Sequence, residues 1–104
     1  MDIDTLRTIV RRGGIIPTVH ARAEMAHDGL IEEEVREAVL SGEVVGEEHD
    51  SGGARYVVEG RTWLRQRRLR LFMAVETDEA GRDAAVLVTV HSLRRRRERR
   101  AGKR

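Results

Sequence analysis

The chain has 104 residues and no cysteine, which admits one domain and excludes a Cys-ligated zinc site, an iron–sulfur cluster and a thiol nucleophile. With 37% charged residues and one each of Trp, Tyr and Phe, the core has to be aliphatic. The net charge of +2 conceals a division: residues 1–50 set 5 Arg against 12 acids, whereas residues 51–104 set 15 Lys and Arg against 6 acids. Such an asymmetry points to an anionic partner on one face, nucleic acid first.

In chain order, Asp2 or Asp4 can cap a short helix whose apolar positions are Ile3, Leu6, Ile9 and Val10, and Gly13-Gly14 ends it. The stretch Met1 to Arg12 carries no apolar signal region, and no apolar run approaches the length of a membrane span, so a cytoplasmic protein without membrane contact is expected. Ile15-Ile16-Pro17 reads as an extended lead-in. Thr18 then stands where an N-cap belongs, before a helix over about 19–28 that Gly29 stops. A third helix, about 31–41, shows Ile31, Val35, Ala38 and Val39 at one-face spacing and Gly42 as its stop. Its Glu32, Glu33 and Glu34 suit the positive end of the helix dipole.

Strands follow: an entry at Val44-Val45, then runs at 54–59, 69–77 and 84–91. Asp50-Ser51-Gly52-Gly53 reads as the first loop and Thr77-Asp78-Glu79-Ala80-Gly81 as the last hairpin turn. Alternation puts Tyr56, Val58, Leu69, Leu71, Met73, Val75, Val86, Val88 and Val90 on the face that meets the helices. The opposite parity gathers Arg55, Arg70, Thr89 and His91, beside Val57, Phe72 and Leu87. A β-bulge within 84–91 would invert that assignment. Residues 1–93 therefore read as a single α+β domain, two to three N-terminal helices packed on a four-stranded, mostly antiparallel sheet. Residues 94–104, eight of eleven basic, read as a disordered tail. Deleting 95–104 should leave the thermal midpoint nearly unchanged while flattening the salt dependence of nucleic-acid binding.

Metal-independent RNA cleavage needs a base for the 2′-proton, an acid for the leaving oxygen, and cations to hold the phosphate. His20 at a helix start and His91 at a strand end are the candidate pair, with Arg22 and Arg55 as phosphate clamps and Thr89 as a hydrogen-bond donor. Arg61, Arg65, Arg67, Arg68 and Arg70, with Trp63 interleaved and no acid between, are the candidate nucleic-acid contacts. Plainer readings stand beside these. His20 could tie helix to sheet, Arg55 could pair with Glu76 or Glu59, and an Arg-rich tail could be a solvated end. His20, Glu24 and His27 share one helical face, but three ligands from one short helix leave no obvious fourth, so neither metal nor cofactor is expected.

His20-Ala21-Arg22, Gly42-Glu43-Val44-Val45, Arg55-Tyr56-Val57-Val58-Glu59-Gly60 and Val88-Thr89-Val90-His91, in that order, resemble the small bacterial family catalogued as DUF4258 over residues 2–93. That family looks related to RelE/ParE-like and barnase-like toxins. The resemblance implies catalytic groups at His20, Arg22, Arg55 and the Thr89/His91 strand end. It also implies a toxin-like ribonuclease acting on RNA, held in check by a cognate antitoxin protein. The last strand of the family more often ends in Tyr, where this chain has His91. A different class of function is a non-catalytic basic module that binds nucleic acid or a protein, as the ParE-like arm does. The approach of His20 and His91 around Arg55 would discriminate the two.

Overall fold

The computed structural model describes residues 2–50, 53–63 and 65–93; the expected tail, 94–104, lies outside them. Helix α1 (Ile3–Gly13) starts at Asp2, whose carboxylate accepts from the Thr5 N–H at 2.9 Å and the Thr5 hydroxyl at 2.8 Å. Both bonds favour the ionised form and hold the Asp2 carboxyl below its ordinary value. Leu6, Ile9 and Val10 form its buried stripe. Strand β1 (Ile15–Pro17) follows, then helix α2 (Val19–Asp28), capped by the Thr18 hydroxyl on the Ala21 N–H, and helix α3 (Glu32–Ser41). Ile31, at the N-cap of α3, has no side-chain acceptor, so only the reciprocal half of a capping box forms, Glu34 accepting from the Ile31 N–H at 3.2 Å.

Strands β2 (Glu43–Asp50), β3 (Gly53–Arg61), β4 (Arg68–Thr77) and β5 (Asp83–Leu93) complete one five-stranded sheet in the order β1-β5-β4-β3-β2. Only the β1–β5 pair is parallel. The sheet thus has five strands where four were expected. The extra one is the Ile15–Pro17 lead-in, three residues too short to show a period, which pairs with Ala85–Leu87. The helices cover one face over a core of Leu6, Val10, Val35, Val39, Val58, Leu69, Leu71, Met73, Leu87 and Val90. Among the described residues no helix is long and apolar enough to cross a membrane.

Helix α3 lies almost against the backbone of β3. A Cβ built on Gly60 would stand 1.8 Å from the Ala38 carbonyl oxygen, so only glycine permits this approach.

The last strand departs from simple alternation. Leu71 pairs with Val90 and Phe72 with Thr89, but Met73 pairs with Leu87, leaving Val88 as the extra residue of a bulge. From there toward the start of β5 the parity is reversed. Ala85 and Leu87 enter the helix-side core with Val90, whereas Val86, buried as expected at 9% exposure, lies on the opposite face beside Ile16. The expectation that Val86, Val88 and Val90 share the core face is therefore corrected to Ala85, Leu87 and Val90. The run Val86-Leu87-Val88 contains no polar residue to betray its register, which is why alternation alone misassigns it. After the bulge, Thr89 and His91 do face the open side, with Phe72 and Arg70 as their register partners.

Candidate active site

Strand β1 ends at Pro17, and beyond it the outer edge of β5 would be bare. Helix α2 takes over that edge. The Thr18 N–H donates to Leu87 O at 2.9 Å, and the Thr18 hydroxyl donates to Val88 O at 3.2 Å. The next peptide group is met by Glu24, whose Oε1 accepts from the Val90 N–H at 3.0 Å. The carboxylate is thereby fixed against the strand, and its side chain is only 20% exposed.

Two imidazoles flank it. His20, four residues earlier on the same helical face, places Nε2 at 3.4 Å from Oε1, and His91, next to Val90, places Nδ1 at 3.9 Å from Oε2. The first is a long polar contact and the second an ion-pair distance. The His91 ring also stands edge-on to Phe72, with centroids 6.1 Å apart. Both imidazole side chains remain more than half exposed, 67% for His20 and 53% for His91, so a ligand can reach them. The bulge at Val88 leaves this arrangement intact, because the parity it reverses is that of the residues before it, while Thr89 and His91 keep the open face and Val90 the core.

A family model described as "Domain of unknown function (DUF4258)" matches residues 18–92. The chain belongs to the DUF4258 family. The matched segment opens on the N-cap of α2 and closes after His91, so His20, Glu24 and His91 all fall within the DUF4258 domain, whereas α1 and β1 precede it. No curated protein and no solved structure matches the chain.

Within this DUF4258 domain the other predicted residues are dispersed. Arg70 lies directly across from His91, with its guanidinium 2.8 Å from Glu59. Thr89 stands on the same face, one step along β5 toward the bulge. Arg55 shares that face but pairs with Glu48, four residues from Glu59 along β3, so it lies about 13 Å down the sheet from the His91 row. The histidines therefore meet around Glu24 and not around Arg55. Arg22 leaves α2 about 200° around from His20. His49 pairs with Glu47 on β2. Among the described residues no group of three His, Asp or Glu is arranged to hold a metal ion, the His20–Glu24–His27 face included. Glu24 is the candidate residue that sequence reasoning undervalued. Its spacing from His20 was visible, but its bond to the Val90 N–H depends on how α2 docks.

The arginine cluster divides in two. Arg65 and Arg67 bond to the end of α2, Arg65 staying half exposed: Arg67 donates to Asp28 O at 2.6 Å and Arg65 to Gly29 O at 2.5 Å, satisfying carbonyls that the helix leaves unpaired. Arg65 also grips Glu34 through two bonds of 2.6 and 3.2 Å. Glu34 is 1% exposed, and Arg65 holds its carboxyl below the ordinary glutamate range in spite of burial. Arg61 and Arg68 sit opposite each other on β3 and β4, both exposed.

Arg65→Ala would leave the Glu34 carboxylate with the Ile31 N–H alone. We expect the thermal midpoint at neutral pH to fall by on the order of 10 °C. Because the folded state depresses the Glu34 pKa, the stabilisation is present above the ordinary glutamate value and disappears as pH falls through the lowered one. The gap between wild type and variant should therefore narrow in acid. Thermal melts at several pH values check it, and a gap of constant size from neutral to strongly acid solution would show that the pair does not matter.

Proposed function

We propose that this DUF4258 protein is a metal-independent endoribonuclease, the toxin of a bacterial toxin–antitoxin pair, acting on RNA in the cytoplasm and neutralised by a cognate antitoxin protein. The observation that carries the reading is the convergence of His20 and His91 on one anchored carboxylate. One carboxylate between two imidazoles balances a single imidazolium, the charge state in which one ring can accept a proton while the other donates one.

In the reaction, one imidazole takes the proton of a ribose 2′-hydroxyl as its oxygen attacks the adjacent phosphorus. The bond from phosphorus to the 5′-oxygen breaks, and the other imidazole protonates that oxygen. The products end in a 2′,3′-cyclic phosphate and a 5′-hydroxyl. Either histidine can serve as base, with the other as acid. Glu24 orients both rings and offsets the imidazolium charge. In this reading Arg70, opposite His91, exchanges its ion pair with Glu59 for the phosphoryl oxygens and offsets the charge growing on them, the part expected of Arg22 and Arg55 from the sequence.

The test is the purified protein with a mixed-sequence RNA in excess EDTA, with and without ribosomes, scored for cyclic-phosphate ends. Cleavage in EDTA is expected. Absence of cleavage in both conditions would leave the non-catalytic binding module as the better reading. For the toxin role, induced expression of the wild type should arrest bacterial growth and His20→Ala should not.

A further inference from the structure

The loop joining β3 to β4 is pinned from beneath. The Thr62 N–H donates to Arg67 O at 2.9 Å and the Arg67 N–H donates back to the Thr62 hydroxyl at 3.0 Å, with Thr62 itself 1% exposed. The Trp63 N–H donates to Glu37 at 3.0 Å, and Arg65 and Arg67 tie the loop to α2 and α3 as described. On this fixed backbone Trp63, the only tryptophan of the chain, is 69% exposed. A large aromatic exposed to solvent gains nothing for the fold, since its apolar area stays in water.

Trp63 borders an open depression of about 890 Å³ that Arg61, Arg68, Gln66, Arg7 and Leu93 also line. Arg61 and Arg68 are direct cross-strand partners, an arrangement of like charges that is unfavourable without an anion between them. No carboxylate among the described residues forms an ion pair with either: Glu59 on the same wall is matched by Arg70, and Glu43, which also lines the depression, pairs with neither. Arg68 is two residues along β4 from Arg70, the partner of His91. The path from His91 across Arg70 and Arg68 to Arg61 therefore covers two strand spacings and two residues, about 12 Å.

We infer that this depression is a subsite for single-stranded RNA, with a base stacked on Trp63 and a backbone phosphate held between Arg61 and Arg68, roughly two nucleotides from the scissile bond. The identity of the ligand rests on the ribonuclease reading; the stacking platform and the paired arginines do not. An exposed aromatic beside two cations is the combination that binds single strands with little sequence preference, because every base has a π-face and every linkage a phosphate.

The lone tryptophan reports on its own site. The full chain is titrated with a hexanucleotide RNA carrying 2′-O-methyl groups, which lacks the attacking hydroxyl, while Trp fluorescence and the anisotropy of a labelled copy are followed. Saturable quenching is expected, together with binding on the order of 10- to 100-fold weaker in Trp63→Ala. The thermal midpoint of that variant should be unchanged, since the side chain is exposed. Arg61→Ala with Arg68→Ala should lower the slope of log affinity against log salt by about 0.7, the value for the one phosphate no longer neutralised. An abasic oligomer of the same backbone should bind more weakly and leave the fluorescence unchanged.

Binding without quenching, or Trp63→Ala binding as tightly as wild type, would overturn the subsite. The two proposals fail separately. Cleavage with an unaltered KM in Trp63→Ala would remove the subsite and keep the ribonuclease. Quenching by the hexanucleotide in a protein that cleaves no RNA would keep the subsite and remove the ribonuclease.

Discussion

Alanine at His20 or at His91 should lower the rate of RNA cleavage by on the order of 10²–10⁴. The two losses should not add, because each group acts only with the other in place, and the double variant should be little slower than the worse single one. Wild-type rate against pH should be bell-shaped, one limb for the base and one for the acid, and each single variant should retain one limb at most. Folding should survive, since both imidazoles are more than half exposed. Glu24→Gln separates position from charge. A glutamine oxygen can still accept from the Val90 N–H, so the edge of β5 stays covered, but the counter-charge between the rings is gone; an intermediate loss of rate with an unchanged thermal midpoint is expected. Arg70→Ala should cost more than Arg55→Ala, as Arg55 stands about 13 Å from the His91 row. Single-turnover assays of cyclic-phosphate product in EDTA check the series. Activity unchanged in the double His20/His91 alanine variant, or abolished by EDTA, would remove the mechanism.

Gly60→Ala should unfold the protein or nearly so. The new Cβ would lie 1.8 Å from the oxygen and 2.7 Å from the carbon of the Ala38 carbonyl, both backbone atoms, so no side-chain rotation can relieve it. Helix α3 would have to lift off β3, and Val35, Ala38 and Val39 would leave the core with it. A cost on the order of 4 kcal/mol or more is expected, at the upper end for one methyl group, because the clash strips packing from a whole helix. Against the total of roughly 5–15 kcal/mol for a domain of this size, little stability would remain. Gly46→Ala is the matched control. It also lies in a strand, but its Cβ would meet only the Val57 side chain, at 3.7 Å, and its effect should be small. Urea or thermal denaturation of the two variants decides it: a Gly60→Ala protein as stable as Gly46→Ala would mean that α3 does not sit as close to the sheet as described. The lesion also reaches the proposed RNA surface, since Glu59 and Arg61 flank Gly60 and α3 carries the Glu34 and Glu37 that anchor the Trp63 loop.

The sequence by itself determined the parts of this protein whose signals are local. Asp2 and Thr18 stand at helix starts because a short oxygen-bearing side chain reaches an N–H three residues on, and that spacing is written in the chain. The turn at Asp78–Gly81 and the alternation of Leu69, Leu71 and Met73 against Arg68, Arg70 and Phe72 are likewise local, as is the placing of His91 two residues beyond Thr89 on the open face. Family membership was legible for the same reason, in short segments in a given order. Other features depend on elements distant in the chain. Strand β1 exists only because β5 offers a bare edge to Ile15–Pro17. The bulge at Val88 is invisible in an unbroken apolar run and is decided by which residues fill the core. Arg65 and Arg67 read as a cationic surface, and only the packed structure shows that they also bond to the end of α2 and, for Arg65, to the buried Glu34. Glu24 becomes the centre of the candidate site only when α2 docks on β5, since 66 residues separate it from the Val90 N–H it holds. Local chemistry is settled within a turn of helix or a hairpin, but a carboxylate shared by two distant histidines is a property of packing.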